Sequence, residues 1–445
     1  MSAVPALVVP TMPAYAVDWF LRDADWWHVA TIPVFTGLIG WLINWTGLLM
    51  LFAPVHFHGR RVPGMRQLAS VLPRRLQEVP GLLQGGVGWQ GIIPSRAAKM
   101  GSIAVDKVIA KLGTAGDFYR RLDPDRLAAH LVTSFRPEVP RIVDEVMERE
   151  HPRLWADLPN AVREAVHARV QAQLPTVVGR VTDRIGAHID QLLDPKLMVI
   201  DQFESDPALV VRVFWDVGRR ELRRMVDFGL VFGLLLGIPV ALVDHWFGIW
   251  WLLPLMGVLV GWTTNALGMW LIYEPPEPRR VGPFTLQGLF PRRQEEAAEV
   301  YARIIADDVI TMEHIADFLL GGPRSDRTRQ LLVDALTPVI DQAVGVLRGP
   351  VRIAVGRGRY DAIRDSVAAV AAERTHEPLR DAAFSRQQAE RIRTMVAERT
   401  KELPAADFVE MMRAATREDE WMLYAHGALM GLAGGLLHLW IFGIG

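Results

Sequence analysis

Apolar and polar residues divide this chain into long uncharged runs and longer stretches of helical alternation. Residues 29–53, 249–273 and 421–445 each run 25 residues without Asp, Glu, Lys or Arg. As helices they reach roughly 37 Å, enough to cross a hydrocarbon core of roughly 30 Å with some tilt. A fourth run, 228–243, is shorter and lies between Asp227 and Asp244. With a turn it extends to 248 and feeds the next run as a helical hairpin. Trp26, Trp27 and His28 stand at the start of the first run as an interfacial anchor. The pattern predicts transmembrane helices at 29–53, 228–248 (with its turn), 249–273 and 421–445. Residues 1–28 read as an uncleaved tail, because the first 16 hold no Lys or Arg and are broken by Pro5, Pro10 and Pro13.

Between the runs the period changes. Val162, Val166, Val170, Leu174, Val177, Val181, Ile185, Ile189 and Leu192 recur every three or four residues, which predicts one long amphipathic helix, bent at Pro175. Asp123-Pro124, Asp194-Pro195 and Asp206-Pro207 each set a capping carboxylate before a proline, the grammar of a helix start. Residues 54–227 and 274–420 are therefore expected to be two helical soluble domains.

Two strings occur twice. Gly40-Trp41, Asn44, Gly47 and Pro54 return 221 residues later as Gly261-Trp262, Asn265, Gly268 and Pro275. Trp89-Gln90-Gly91-Ile92-Ile93-Pro94-Ser95-Arg96 returns as Leu286-Gln287-Gly288-Leu289-Phe290-Pro291-Arg292-Arg293, now 197 residues on, so the first copy carries 24 extra residues in its loop. A glycine stripe also repeats: Gly229, Gly233, Gly237, then Gly427, Gly431, Gly435. Stripes of this spacing let helix backbones approach closely in lipid. The chain thus reads as an all-α integral membrane protein with four transmembrane helices and two cytoplasmic helical domains, a tandem parallel duplication. Arginines crowd the side bearing both domains, among them Arg60, Arg61, Arg219, Arg220, Arg223, Arg224, Arg279, Arg280, Arg413 and Arg417, against Arg22 alone on the other. The positive-inside rule puts the domains in the cytoplasm and both termini outside, in a bacterial plasma (inner) membrane.

The paired strings Gly-Trp-x2-Asn-x2-Gly-x6-Pro and Gln-Gly-[Ile/Leu]-x-Pro-x-Arg, each followed by helical patterns, resemble the uncharacterised bacterial membrane proteins grouped as domain of unknown function 445. The resemblance implies a plasma-membrane protein with helical domains and implies no activity. Copy one departs from the pattern. Where copy two has Glu274-Pro275 and then Arg279 to Phe284, it has the longer loop 55–88.

Composition changes the picture only by exclusion. Half of the residues are hydrophobic and the formal net charge is −1, which argues against a nucleic-acid partner. Cysteine is absent, so disulfides, thiolate metal sites and cysteine nucleophiles fall away together. His56 and His58 make a histidine pair without further ligands at metal-binding spacing. No Gly-x-Ser-x-Gly elbow, phosphate-cradling loop, His-Glu-x-x-His or dinucleotide fingerprint is present. The reading therefore names no catalytic residue, metal ligand or cofactor, and expects a chain that is not an enzyme.

Two sets of residues carry the functional expectations. Asn44 and Asn265 fall near the bilayer midplane, either bonding each other or nearby backbone across the two-fold and so pairing the halves, or lining a polar path with Thr263 and Thr264. Trp89, Gln90, Gly91, Pro94, Arg96, Gln287, Gly288, Pro291, Arg292 and Arg293 form an interfacial motif. It acts either as a rigid elbow or as a lipid contact, with Trp89, Ile92, Ile93, Leu286, Leu289 and Phe290 dipping among anionic headgroups. The leading function is a non-catalytic scaffold or tether whose amphipathic helices bind lipid, a protein partner or a second copy. The alternatives are a transporter or channel along the two-fold axis and a lipid-shuttling groove.

Overall fold

The computed structural model describes residues 26–73, 77, 79–80, 85–106, 114–150, 152–344, 366, 370, 376–379, 381–414 and 416–443. The predicted tail, 1–28, lies outside the described residues up to Asp25. The described chain is mostly helical, with four helices long and apolar enough to cross a membrane. It divides into two compact units.

The first unit gathers residues 1–92, 218–292 and 416–445, and so collects all four apolar runs. It contains α1 (Trp26–Phe52), a ribbon of β1 (His58–Arg61) and β2 (Gly86–Trp89) with α2 (Met65–Val71) between them, and a second ribbon of β3 (Arg279–Val281) and β4 (Phe284–Leu286). The two short antiparallel ribbons depart from the all-α expectation. Their strands of three or four residues, rich in glycine and arginine, are too short to show alternation in the sequence. Their registers match: His58 faces Trp89, Gly59 faces Gly88 and Arg60 faces Val87 in one, and Arg279 faces Leu286, Arg280 faces Thr285 and Val281 faces Phe284 in the other. In the sequence the strands of the first ribbon are joined by residues 62–85 and those of the second by Gly282 and Pro283.

The second unit gathers residues 93–217 and 293–415. From the first segment come α3 (Ala97–Ala104), α4 (Ala115–Arg121), α5 (Pro124–Phe135), α6 (Val139–Glu150), α7 (Pro152–Asp157), α8 (Asn160–Leu192) and α9 (Pro195–Ser205). A 41-residue helix, α10 (Pro207–Phe247), follows and supplies the second membrane span. The sequence places a boundary at 227/228, but nothing interrupts the helix there: its turn from polar to apolar residues involves no Gly-Pro break. After α11 (Leu252–Tyr273), the third span, the second segment supplies α12 (Gln294–Ile304), α13 (Met312–Gly321), α14 (Ser325–Val344), α15 (Ala382–Glu402) and α16 (Ala405–Ala414), before α17 (Glu420–Phe442) returns to the first unit.

The two soluble segments do not form the separate domains expected at 54–227 and 274–420. They interlock in one unit. α8 packs on α14, and α9 on α13. Ion pairs Arg324–Asp194 (3.0 Å) and Arg391–Asp123 (3.3 Å) and a stack of His130 on Phe384 join them. The reason lies in the α8 stripe. Ile189 and Leu192 are buried, whereas Val162 at the other end is exposed, so coverage grows toward the C-terminal end. A 33-residue helix cannot bury its stripe against the few short helices of its own segment, and the other segment covers part of it.

The three Asp-Pro starts are observed as read. Asp123 Oδ1 accepts from Arg126 N–H, Asp194 Oδ1 from Lys196 and Leu197, and Asp206 Oδ1 from Ala208. At α4, Thr114 and Asp117 form a reciprocal capping box. The Thr114 backbone N–H, then its hydroxyl, then Arg120 hold the Asp117 carboxyl below its ordinary range. A folded pKa that is depressed adds stability above the unfolded pKa and loses it as pH falls through the folded one. Thr114→Ala is expected to cost about 1 kcal/mol. It should also flatten the acid limb of the stability curve, read by urea titration at several pH values; an unchanged acid limb would show that the box carries no pH dependence.

Candidate functional site

The glycine stripes place helices in backbone contact within the membrane-type unit. A Cβ on Gly229 or Gly233 would overlap the carbonyl oxygen of Gly40 or Thr36 of α1, and one on Gly237 would lie 2.5 Å from Pro33 Cα. The second pair repeats this. A Cβ on Gly427 or Gly431 would collide with the carbonyl oxygen of Gly261 or Gly257, and one on Gly435 would lie 2.7 Å from Pro254 Cα. Thus α1 pairs with α10 and α11 with α17, the α1 and α11 residues being 221 apart and the α10 and α17 glycines 198 apart.

Both asparagines lie in these seams. Asn44 Nδ2 donates to the Met225 carbonyl at 2.6 Å, and Asn265 Nδ2 to the Leu423 carbonyl at 2.5 Å. They do not bond each other. Each ties the two helices of its own half, which corrects the expectation that the asparagine pairs the halves. The close glycine seam explains the choice: Gly229 and Gly427 leave the amide room, since a Cβ there would sit 2.7 and 2.6 Å from Asn44 Nδ2 and Asn265 Nδ2. The later glycine of each string is among the contacts between the halves. A Cβ at Gly47 would rest 3.5 Å from Leu423 Cδ2, and one at Gly268 3.2 Å from Met225 Cγ. Met225 and Leu423 are therefore nodes, each taking an asparagine on its carbonyl from one half and touching a glycine position of the other. Asn265→Ala is expected to cost about 1 kcal/mol, within the range for interhelical hydrogen bonds in lipid. Unfolding in mixed micelles checks it; no loss would mean that the bond carries no stability.

Between the halves lies an apolar cavity of about 30 Å³, lined by Thr36, Gly40, Gly257, Gly261 and Gly434 with His438 among others. That is room for no more than a water or two. His438, unremarked in the sequence reading, is buried and sits 3.2 Å from Thr31 Oγ1, with Phe35 and Phe442 against its ring. A histidine inside an uncharged run was the available signal.

The two strings read separately in the sequence meet in space. Gly91 N–H donates to the Pro54 carbonyl and Gly288 N–H to that of Pro275, both at 2.9 Å. Gln90 Nε2 donates to the Val55 carbonyl at 2.8 Å and Gln287 Nε2 to that of Pro276 at 3.0 Å. The Gln-Gly pair thus clasps the turn in which the Asn-bearing helix ends. Ile92, Ile93 and Phe290 are buried and do not dip into headgroups; Pro94 and Pro291 are buried as well. Arg96 is buried and Arg293 bonds Glu296, leaving Arg292 as the exposed arginine of the motif.

Four spanning-length helices, paired through glycine seams and intramembrane amide bonds, class the chain as a helical membrane protein. It is 38% identical over 73 residues to the UPF0754 membrane protein of Shouchella clausii (strain KSM-K16). That stretch covers 16% of this chain and 19% of the relative's length. No family model matches the chain, and no solved structure matches it.

Proposed function

We propose that the chain is a non-catalytic scaffold or tether of the bacterial plasma membrane, a tandem parallel duplication. Its four spans hold an interlocked helical unit at the cytoplasmic face. There the amphipathic helices, α8 foremost, engage a protein partner, a second copy of the chain or lipid. The observation that carries this reading is the use of the repeated polar groups: Asn44, Asn265, Gln90 and Gln287 all hold backbone carbonyls, as structural fastenings do. Vesicles reconstituted with the full chain should hold proton and potassium gradients as tightly as protein-free ones. Photocrosslinkers at exposed α8 positions such as Val162 and Arg169 should give discrete adducts in intact cells. A protein-dependent leak, or the absence of adducts at every α8 position, would overturn the reading.

One observation favours a second reading, a transporter or channel on the two-fold axis. Asn44 Oδ1 and Thr264 Oγ1 are buried and find no hydrogen-bond partner among the described residues. Such a path predicts flux that disappears in the Asn44→Leu, Asn265→Leu double variant while assembly persists; retained flux in that variant would exclude it.

A further inference from the structure

The two ribbons alternate strictly, so each has two different faces. In the β3–β4 ribbon, Arg279, Val281, Phe284 and Leu286 share one face, and Arg280 and Thr285 the other. Phe284 is 75% exposed, Val281 59% and Leu286 36%. In the β1–β2 ribbon, His58, Arg60, Val87 and Trp89 share a face, with Val87 66% exposed. Its opposite face carries Arg61 and three glycines, and the Phe57 ring covers it where a Cβ on Gly59 or Gly88 would lie at 2.9 Å. Each ribbon therefore gathers its exposed apolar side chains on one face and studs it with a cation.

Position and charge name what covers these faces. Each ribbon begins a few residues after a span ends, Phe52 for the first and Tyr273 for the second, and the Gln-Gly clasps hold it there. Both spans run in the same direction, since the single span of α10 separates them, so both ribbons emerge on one membrane surface. Arg60, Arg61, Arg279 and Arg280 are exposed and make no ion pair with a described residue. No Asp or Glu lies in either pair of strands.

We propose that the apolar faces of the two ribbons seat in the headgroup layer of an anionic phospholipid bilayer, with Val281, Phe284, Leu286 and Val87 as wedges and Arg60 and Arg279, on those same faces, on lipid phosphates. This deepens the membrane reading of the proposed function and rests on it. The ribbons, rather than the buried Ile92, Ile93 and Phe290, are the lipid-reading part of the interfacial region. Each arginine beside an anionic surface favours its engagement about fivefold.

The chain has no cysteine, so single labels are clean. Full-length Phe284→Cys, with Val281→Cys as a second position and Thr285→Cys on the opposite face, is labelled with an environment-sensitive fluorophore. It is then reconstituted in phosphatidylcholine vesicles with or without phosphatidylglycerol. The Phe284 and Val281 labels should shift to the blue and be quenched by headgroup-proximal lipid nitroxide when phosphatidylglycerol is present. The Thr285 label should stay open to aqueous iodide. Arg279→Gln should weaken the shift several-fold, and Arg280→Gln, on the opposite face, should weaken it less. Equal iodide quenching at all three positions overturns the proposal, as does a shift indifferent to phosphatidylglycerol or to the arginines. A label at Leu259, inside α11, separates the failures. Deep-nitroxide quenching there without any at Phe284 or Val281 sinks the ribbon proposal alone, and no quenching at Leu259 sinks the membrane reading beneath it.

Discussion

Gly261→Ala is expected to lower the unfolding free energy by about 3 kcal/mol, the upper part of the range for overpacking a close interface. The new methyl group would overlap the Gly427 carbonyl, a backbone atom that no rotamer change can move away. α11 and α17 must then separate along the whole seam. The Asn265 bond to Leu423, which depends on that approach, weakens with it. Gly40→Ala should behave alike, because its methyl group would meet the Gly229 carbonyl. Gly47→Ala is the control. Its methyl group would meet only Leu423 Cδ2 at 3.5 Å, and alanine is the better helix former, so the change should be neutral or stabilising by up to about 1 kcal/mol. Steric-trap or SDS unfolding in bicelles measures all three. Comparable losses at Gly261 and Gly47 would mean that the seam is looser than the backbone contacts imply.

The second large effect is expected at the clasp. A Cβ on Gly288 would lie 2.8 Å from the Tyr273 carbonyl carbon and 2.9 Å from the Ile272 oxygen, and one on Gly91 would meet Phe52 and Leu51 at 2.8 and 3.0 Å. Gly288→Ala should cost about 2 kcal/mol by the same overpacking logic. It should also break the 2.9 Å bond to the Pro275 carbonyl that fixes the ribbon's base. Gln287→Ala removes the neighbouring bond to Pro276 at about 1 kcal/mol. The two losses should not add, because both changes free the same turn. Trypsin reads the local consequence: cleavage after Arg279 and Arg280 requires the ribbon to open, so it should quicken in both variants. Unchanged cleavage in the presence of a global loss would show that the clasp holds the unit together without holding the ribbon.

If the ribbons do read lipid, the clasps acquire a role beyond stability, since they set the position at which each ribbon leaves its span. Clasp variants should then lose the anionic-lipid response of the Phe284 label without losing the arginines that confer it. That separates a positioning role from a charge role.

Much of this organisation was legible in the residues alone. Runs of 25 uncharged residues locate three spans and most of a fourth, because length and the cost of burying charge in lipid are local properties. Recurrence of Asn44 and Gly229 at Asn265 and Gly427 marked the seams, because helix-helix approach requires small residues at a fixed spacing. Capping carboxylates before proline marked helix starts for an equally local reason. What the tertiary structure alone decided was pairing. Asn44 meets Met225 across 181 residues, Gln90 meets Val55 across 35, and the soluble segments interlock through contacts such as Arg391 with Asp123, 268 residues apart. A string of residue types states that a polar group needs a partner and that an apolar stripe needs a cover. Which carbonyl or stripe answers depends on where the chain returns in space, and that is settled only when all the faces are packed together.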